Sequence, residues 1–468
     1  MQLTVEQILS ATGGRLAAGK AELALAAIST DSRTIKPGSC FVALRGERFD
    51  GHQFLRQAVE GGAAALVVSN GAAAGQLSGY AGSVIIVADA QRALGDLAAW
   101  RRRQLNCRVV AITGSCGKTS AKEMLGQILQ TGLRGHRASS SFNNFVGVPL
   151  TIFDSHPGDD YLILELGTSA PGEMRRLAEI AAPDIALVTC VGPTHLEGLG
   201  SVEGVAHEKE DLVRAVAPDG LAVLNSDDPL VAAMAEAARC RVRTFGLRSG
   251  EVIAGDVESG PDAVAFRLES GVRFRLPAPG VHNVLNALAA ITVAREFGLD
   301  DDQIASALEF YRPPRMRLVR EVLAGGVTLI DDTYNANPLS SSAALEVLCG
   351  QPAEGRRVLV QGDMLELGAR SGEFHAALGR AVAQSCVKML ITVGSATRET
   401  SLAAAERAEL MRFHFLDAQA AASEAPSLVE PGDVVLVKGS RAVALEYVVT
   451  ALREKFSAPP QSGGGNGN

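Results

Sequence analysis

The chain has 468 residues, 47% of them hydrophobic and 21% charged, too many for one ordinary core and enough for roughly three domains. Aromatics are only 4%, while Gly and Ala are abundant, which favours closely packed α/β layers over a β-sandwich. A net charge of −8, with no basic run interleaved with aromatics, excludes a general nucleic-acid binder.

The start "MQLTVEQILSATGG" lacks the basic region and apolar run of a signal peptide. No apolar stretch approaches the ~20 residues that span a bilayer. Cysteines stand singly at 40, 107, 116, 190, 240, 349 and 386, without a C-x-x-C pair, so neither a zinc site nor a disulfide framework is indicated. A soluble, reduced, cytoplasmic protein is expected, with no membrane insertion.

Residues 1–86 mix short strands and helices and read as a first domain. From 87 to 313 a βα series runs through the strand-like "RVVAIT" (108–113), "YLILEL" (161–166), "DIALVTC" (184–190) and "LAVLN" (221–225). The segment 314–456 repeats the alternation with "VTLID" (327–331), "RRVLVQGD" (356–363), "KMLITVG" (388–394) and "DVVLVKGS" (433–440). Such alternation predicts two mainly parallel, doubly wound sheets, hence a three-domain α/β protein. "YRPPRMR" (311–317) is the candidate hinge, because its prolines oppose regular structure. The Pro-, Gly- and Ser-rich tail 457–468 reads as disordered.

The stretch "VVAITGSCGKTSAKEML" (109–125) is a phosphate-binding loop in the right context, since an apolar strand precedes it and a helix with Ala121, Met124, Leu125, Ile128 and Leu129 on one face follows. The usual first glycine is absent: Ile112 occupies that position and Gly114 makes a shorter loop. Gly114, Ser115, Gly117 and Ser120 would surround the phosphates, Lys118 would reach the terminal ones, and Thr119 would ligate Mg²⁺. Glu165, at the end of an apolar strand, is costly there unless it binds something, and is the second candidate ligand. His195 also follows a strand of that sheet and joins the candidates.

The motifs "TGSCGKTSAKEML", "NNFVGVPLT", "ELGTS", "THLEGLGS", "GVHNVLNALAA", "DDTYNANP", "GDMLELG" and "VLVKGSRAVALE" resemble, in order, those of the Mur ligases, which build the peptide of the bacterial cell-wall precursor. The short loop is that family's form. The resemblance implies an N-terminal UDP-binding α/β domain, a central ATP-binding domain and a C-terminal Rossmann-like domain.

The last-domain motifs are most similar to those of members that add D-alanyl-D-alanine to UDP-N-acetylmuramoyl-tripeptide through an acyl phosphate. No D-N-P-R motif of the diamino-acid-adding relatives is present. A folate-type relative and a non-ligating nucleotide switch are the remaining rivals. By the same resemblance, ATP and two Mg²⁺ ions are the cofactors. Thr119 and Glu165 would hold one ion, His195 would lie beside the metals, and a carbamylated Lys209 would hold the second.

Lys118, His195, Lys209 and Arg315 would then be catalytic. Asn283 would meet adenine, with His282 beside it; Arg315 would reach the phosphates, and Asp332, with Tyr334 and Asn335, would lie at the ribose. Ser32, Arg33 and Glu47 match the uridine region, and Asn143, Asn144 and Thr168 the sugar-peptide region, with Asn337 in the last domain. Lys438, Ser440 and Arg441 would bind the dipeptide carboxylate. The protein is expected to act as a monomer. Cys116 is expected to have no catalytic role but a reactive thiol, because it lies at a helix N-terminus.

Overall fold

The computed structural model describes residues 3–457 except 47, 48, 71–76, 78, 139 and 140. Glu47 and the tail from 458 onward therefore lie outside the described residues. No helix among those described is long and apolar enough to cross a membrane.

The first unit carries a five-stranded sheet built from β1 (Arg15–Ala18), β2 (Ile28–Ser29), β3 (Cys40–Val42), β4 (Ala65–Val68) and β5 (Ser83–Ile86), in the order β1-β5-β4-β3-β2. Only β1 runs antiparallel to its neighbour. Helix α1 (Ala90–Arg102) leads into the central sheet. Arg102 donates to the Ala181 carbonyl (3.0 Å) and to Asp184 (2.8 Å), and Asp184 in turn accepts from the Val109 N–H (2.7 Å). One buried arginine thus fixes the helix to the strand that feeds the phosphate loop.

The central sheet has seven parallel strands: β6 (Arg108–Thr113), β7 (Gly135–Arg137), β8 (Tyr161–Glu165), β9 (Ile185–Val188), β10 (Leu221–Asn225), β11 (Arg241–Gly246) and β12 (Val252–Ile253). Their order is β12-β11-β10-β9-β6-β8-β7. Val109 to Ile112 in β6 are all at 0% exposure, as a strand covered by helices on both faces requires. Helix α2 (Lys118–Leu129) follows β6 and packs against α4 (His282–Glu296); α3 (Val202–Arg214) lies between β9 and β10 in sequence. Since β8 and β9 flank β6 on opposite sides, the chain reverses its winding at β6, and the crevice outside its C-terminal end is the topological switch point where α/β sheets bind ligands.

An antiparallel ribbon of β13 (Gly255–Ser259), β14 (Val264–Arg267) and β15 (Arg273–Leu276) follows. The βα alternation of the sequence gives no sign of it.

The last sheet contains β16 (Val319–Val322), β17 (Thr328–Asp332), β18 (Arg357–Gly362), β19 (Met389–Val393), β20 (Met411–Phe415) and β21 (Val434–Lys438), in the order β16-β17-β21-β18-β19-β20. Only β16 is antiparallel. Helices α5 (Pro338–Gly350) and α6 (Ser371–Ala383) cover one face. The expectation of a wholly reduced chain is corrected here: Cys349 at the end of α5 and Cys386 after α6 form a disulfide, Cα atoms 5.7 Å apart. The pair is 37 residues apart and meets only because two sequence-distant helices lie side by side, so spacing alone carries no sign of it.

Among the described residues, hydrogen bonds and ion pairs join the last domain to the central one at three places. Asn337 touches the phosphate loop at Ser115 and Cys116. Glu366 pairs with His195, and its carbonyl accepts from the Glu197 N–H (3.2 Å). Gln351 donates to the Pro261 carbonyl (3.0 Å), and Arg320 pairs with Asp262 (3.0 Å), in the β13–β14 turn.

Leu436 of β21 is fully buried among Ile330, Leu359 and Leu390. Leu436→Ala is expected to cost about 2–5 kcal/mol. In urea-dependent hydrogen exchange the midpoint for last-sheet peptides should fall while that for β6 and β8 stays in place.

Candidate active site

The loop after β6 is shaped by two glycines. Gly114 has φ 150° and Gly117 φ 81°. A Cβ on Gly114 would lie 1.9 Å from Thr189 Oγ1, and one on Gly117 would lie 2.2 Å from Asn286 Oδ1. Both the backbone conformation and the space therefore demand glycine. Gly117 is the N-cap of α2 and supplies no capping side chain, leaving the helix N-terminus open to an anion. Ser115 fastens the loop to the segment after β9: its N–H donates to the Cys190 carbonyl (2.8 Å), and its hydroxyl donates to the Gly192 carbonyl (3.1 Å) while accepting from the Gly192 N–H (2.9 Å). Lys118 folds back to donate to the Gly114 carbonyl.

A cavity of about 340 Å³ opens from this loop. Residues 115–120 form one wall, His282, Asn283 and Asn286 of α4 another, and Arg317, Asp332, Asn335, Asn337 and Lys438 the side contributed by the last domain. Ser120 bonds the Tyr311 hydroxyl. Asn283 donates to the Pro279 carbonyl (2.7 Å) and accepts from Asn286 (3.2 Å), which leaves one amide hydrogen and one oxygen lone pair for a ligand. Burial holds the His282 ring down at about 4, so it is neutral.

A second cavity, about 550 Å³, adjoins the first, and Ser115, Lys118, Arg317, Asn335 and Asn337 line both. Glu165, 1% exposed, accepts from Thr119 Oγ1 (3.0 Å) and Asn143 Nδ2 (3.0 Å), with Lys122 Nζ at 3.7 Å. Asn144 accepts from the Val146 and Gly147 N–H groups, so its carbonyl is spent at a helix start. Thr168 Oγ1 is buried in the cleft wall with no hydrogen-bond partner among the described residues, and such a group is costly unless a ligand completes it. His195, itself at φ 53°, pairs with Glu366. Tyr334 stacks under the Arg317 guanidinium, 4.1 Å from ring to cation. Among the described residues no three His, Cys, Asp or Glu side chains form a metal cluster. One hydroxyl beside one carboxylate suits a hard cation that draws its remaining oxygens from water and phosphate.

Three family models match: the Mur ligase middle domain over residues 112–294, the "Mur ligase, glutamate ligase domain" over 314–441, and the "Mur ligase family, catalytic domain" over 25–102. The chain is 37% identical to the UDP-N-acetylmuramoyl-tripeptide--D-alanyl-D-alanine ligase of Escherichia coli (strain K12), covering 97% of this chain and 99% of that one. To the enzyme of the same name from Bacillus subtilis (strain 168) it is 33% identical, covering 96% and 98%. The chain belongs to the Mur ligase family. Among solved structures it is similar to MurF from Acinetobacter baumannii (TM-score 0.89, 33% identity, covering 97% of this chain and 99% of that one) and to MurF ligase from Thermotoga maritima in complex with ADP (TM-score 0.79, 27%, covering 92% and 97%).

Set within a Mur ligase, several expected residues stand elsewhere. Arg315 is exposed and lines neither cavity; Arg317 lines both. Met316 and Leu318 have φ of 62° and 51°, and this alternation turns the intervening arginine inward, a choice between two arginines that "PPRMR" alone cannot make. Lys438 does not face the larger cleft with Ser440 and Arg441. Its buried ammonium bonds Asp332 Oδ2 (2.6 Å) and the Asn335 carbonyl (2.9 Å) in the smaller cavity, so it has no charge to spare for a dipeptide carboxylate. A short 3₁₀ turn at Arg441–Val443 follows it, and the next helix begins at Glu446. Ser32 bonds Gln57, and Arg33 pairs with Asp31; neither lines these two cavities. Glu366, Lys122, Cys190 and Tyr311 also line the site or fix its groups, and sequence reasoning missed them. Glu366 sits in a quoted motif, but its partner His195 is 171 residues away.

Gly117→Ala is expected to weaken ATP binding at least tenfold in equilibrium titration, through left-handed strain and the clash with Asn286. The Cys116 thiol is held down to about 6, mainly by its hydrogen bond with Cys190, with help from Asn337 and the Lys118 and Lys438 cations. Its alkylation by iodoacetamide should therefore rise with pH to a plateau reached by about pH 7, where an ordinary thiol would still be accelerating.

Proposed function

We propose that this Mur ligase uses ATP to join the terminal carboxylate of UDP-N-acetylmuramoyl-tripeptide to the amine of D-alanyl-D-alanine. The observation that carries the reading is the common wall of the two cavities. Lys118 and Arg317 stand where a nucleotide in one and a carboxylate in the other would meet.

The γ-phosphoryl group passes to the carboxylate, giving an acyl phosphate. The dipeptide amine attacks the acyl carbon, and the tetrahedral adduct expels phosphate. Such chemistry needs positioning and neutralised charge more than a protein nucleophile. Lys118 exchanges the Gly114 carbonyl for phosphate oxygens, and Arg317, taking the role expected of Arg315, bears on the transferring group from the last domain. Asn283 offers its remaining donor and acceptor to the adenine edge, the neutral His282 packs beside it, and Asp332, oriented by Lys438, accepts from the ribose. Asn143 and Thr168 meet the sugar-peptide substrate, with Ser32 and Arg33 toward its uridine end; Ser440 and Arg441 flank the dipeptide. Asn337, bound to the loop, seals the wall and keeps water from the acyl phosphate.

Two Mg²⁺ ions would supply further neutralisation of the phosphate charge, one held by Thr119 and Glu165 beside His195, the other by a carbamate on Lys209. Lys209 suits that modification: it is 2% exposed, and among the described residues its ammonium has no hydrogen-bond partner. Burial, aided by the Lys118 charge, lowers it to about 7. The neutral amine that reacts with CO₂ therefore predominates above about pH 7. Both cavities are complete within one chain, which supports action as a monomer, and ATP-dependent synthesis on a UDP-linked precursor supports a cytoplasmic setting.

Phosphate release with ATP, Mg²⁺ and UDP-N-acetylmuramoyl-tripeptide should require D-alanyl-D-alanine and match the pentapeptide formed. Equal release with free lysine or diaminopimelate as acceptor, or without any peptide substrate, would refute the assignment. Lys118→Ala should lower kcat by about 10²–10³. In ¹³C-bicarbonate the protein should show a carbamate resonance that grows as pH rises through 7 and disappears in Lys209→Ala.

A further inference from the structure

Two cysteines lie against each other in the wall of the nucleotide cavity. Cys116 is the third residue of the phosphate loop, and Cys190 is the second residue after β9. The β6–β9 ladder continues beyond the strands through the Ser115 N–H, which donates to the Cys190 carbonyl (2.8 Å). This brings the next residue, Cys116, directly against Cys190. The Cys116 N–H donates to Cys190 Sγ (3.3 Å), and the Cys190 thiol donates in turn to the Cys116 carbonyl (3.6 Å). Both are only partly buried and line the cavity, so a small oxidant reaches them. No step of the ligase reaction uses either thiol.

We infer that Cys116 and Cys190 form a reversible redox latch, a disulfide made at the expense of a hydroperoxide that closes the phosphate loop to ATP. The Cys116 thiolate attacks the peroxide, breaking the O–O bond to give a sulfenic acid and release hydroxide or alkoxide. The Cys190 sulfur then attacks the sulfenic sulfur, its thiol proton leaves, and water departs as the S–S bond forms. A dithiol reverses the second bond by exchange. Cys116 is the fitting first nucleophile, because it lies at the start of the phosphate-loop helix beside Lys118.

The bond would act on nucleotide binding in two ways. Bringing two sulfurs to the bonded separation of about 2.05 Å draws the loop backbone toward β9. It also removes Cys116 Sγ from Asn337, whose amide it meets at 3.2 Å, and so loosens the seam between the central and last domains. The effect on ATP rests on the nucleotide reading of this cavity; the cross-link itself does not.

The test uses the full-length chain, reduced and then treated with hydrogen peroxide. Tryptic mapping should yield peptides 109–118 and 177–209 joined with the loss of two hydrogens, and saturating ATP and Mg²⁺ should suppress the product. The mapping also separates this link from Cys349–Cys386. Binding of a fluorescent ATP analogue should weaken about tenfold or more on oxidation and recover with dithiothreitol. Cys190→Ser and Cys116→Ser should each lose the linked peptide, and Cys116→Ser, which lacks the first nucleophile, should keep its own untreated affinity through peroxide-dithiothreitol cycles. Cys116 oxidised to sulfinic acid with no linked peptide would overturn the latch. A linked protein whose affinity changes less than about twofold would overturn its effect on ATP. Reduced wild-type protein that binds no nucleotide would instead sink the functional reading, and the gating with it, while the mapping still decides whether the link exists.

Discussion

The hydrogen bond from Asn337 to the Ser115 carbonyl, 3.2 Å long, is the contact around which the rest of the site is arranged. Asn337 also caps α5 by accepting from the Ser340 N–H (2.8 Å), so one side chain ties the start of a helix in the last domain to the phosphate loop of the central one. The contact lies in the wall that the two cavities share, where Arg317, Asn335 and Lys118 line both. An asparagine can do this because its amide donates and accepts at once.

Most charged groups of the site have polar partners within the chain. The Lys118 ammonium rests on a carbonyl, Glu165 is surrounded by Thr119, Asn143 and Lys122, Asp332 is paired with Lys438, and His195 with Glu366. Each pairing limits the cost of a buried charge. Lys438–Asp332 is well enclosed, with side-chain exposures of 2% and 9%. A buried pair of this kind serves orientation better than stability, and it aims the carboxylate into the nucleotide cavity.

Much of this was legible in the sequence where residue type alone decides. The eight apolar runs became strands within a residue or two of their expected limits, because parallel strands buried on both faces admit little else. The shortened loop, with Lys118 and Thr119 placed after it, was visible because glycine is dictated there by backbone and space. Glu165 stood out because a carboxylate on an apolar strand calls for a partner. What escaped depended on tertiary placement: the antiparallel ribbon β13–β15, whose alternation resembles no βα unit; the choice of Arg317 over Arg315, set by left-handed backbone on either side; and the pairing of Cys349 with Cys386, fixed by helices distant in sequence. Lys438 was grouped with Ser440 and Arg441, but its ammonium lies against Asp332 instead, since a sequence shows that a lysine ends a strand and not which aspartate lies opposite.

The contacts of the last domain with the β13–β14 turn lie apart from the chemistry, yet they bear on it through geometry. Asn337 on the phosphate loop, Glu366 on the segment after β9, and Gln351 with Arg320 on the turn give three separate points of support. A rigid body resting on two points can still rotate about the line through them; a third point off that line removes the last rotation. The ribbon, which lines neither cavity, therefore acts as the third leg of a tripod that sets the angle at which the last domain presents Arg317 to the wall between the cavities.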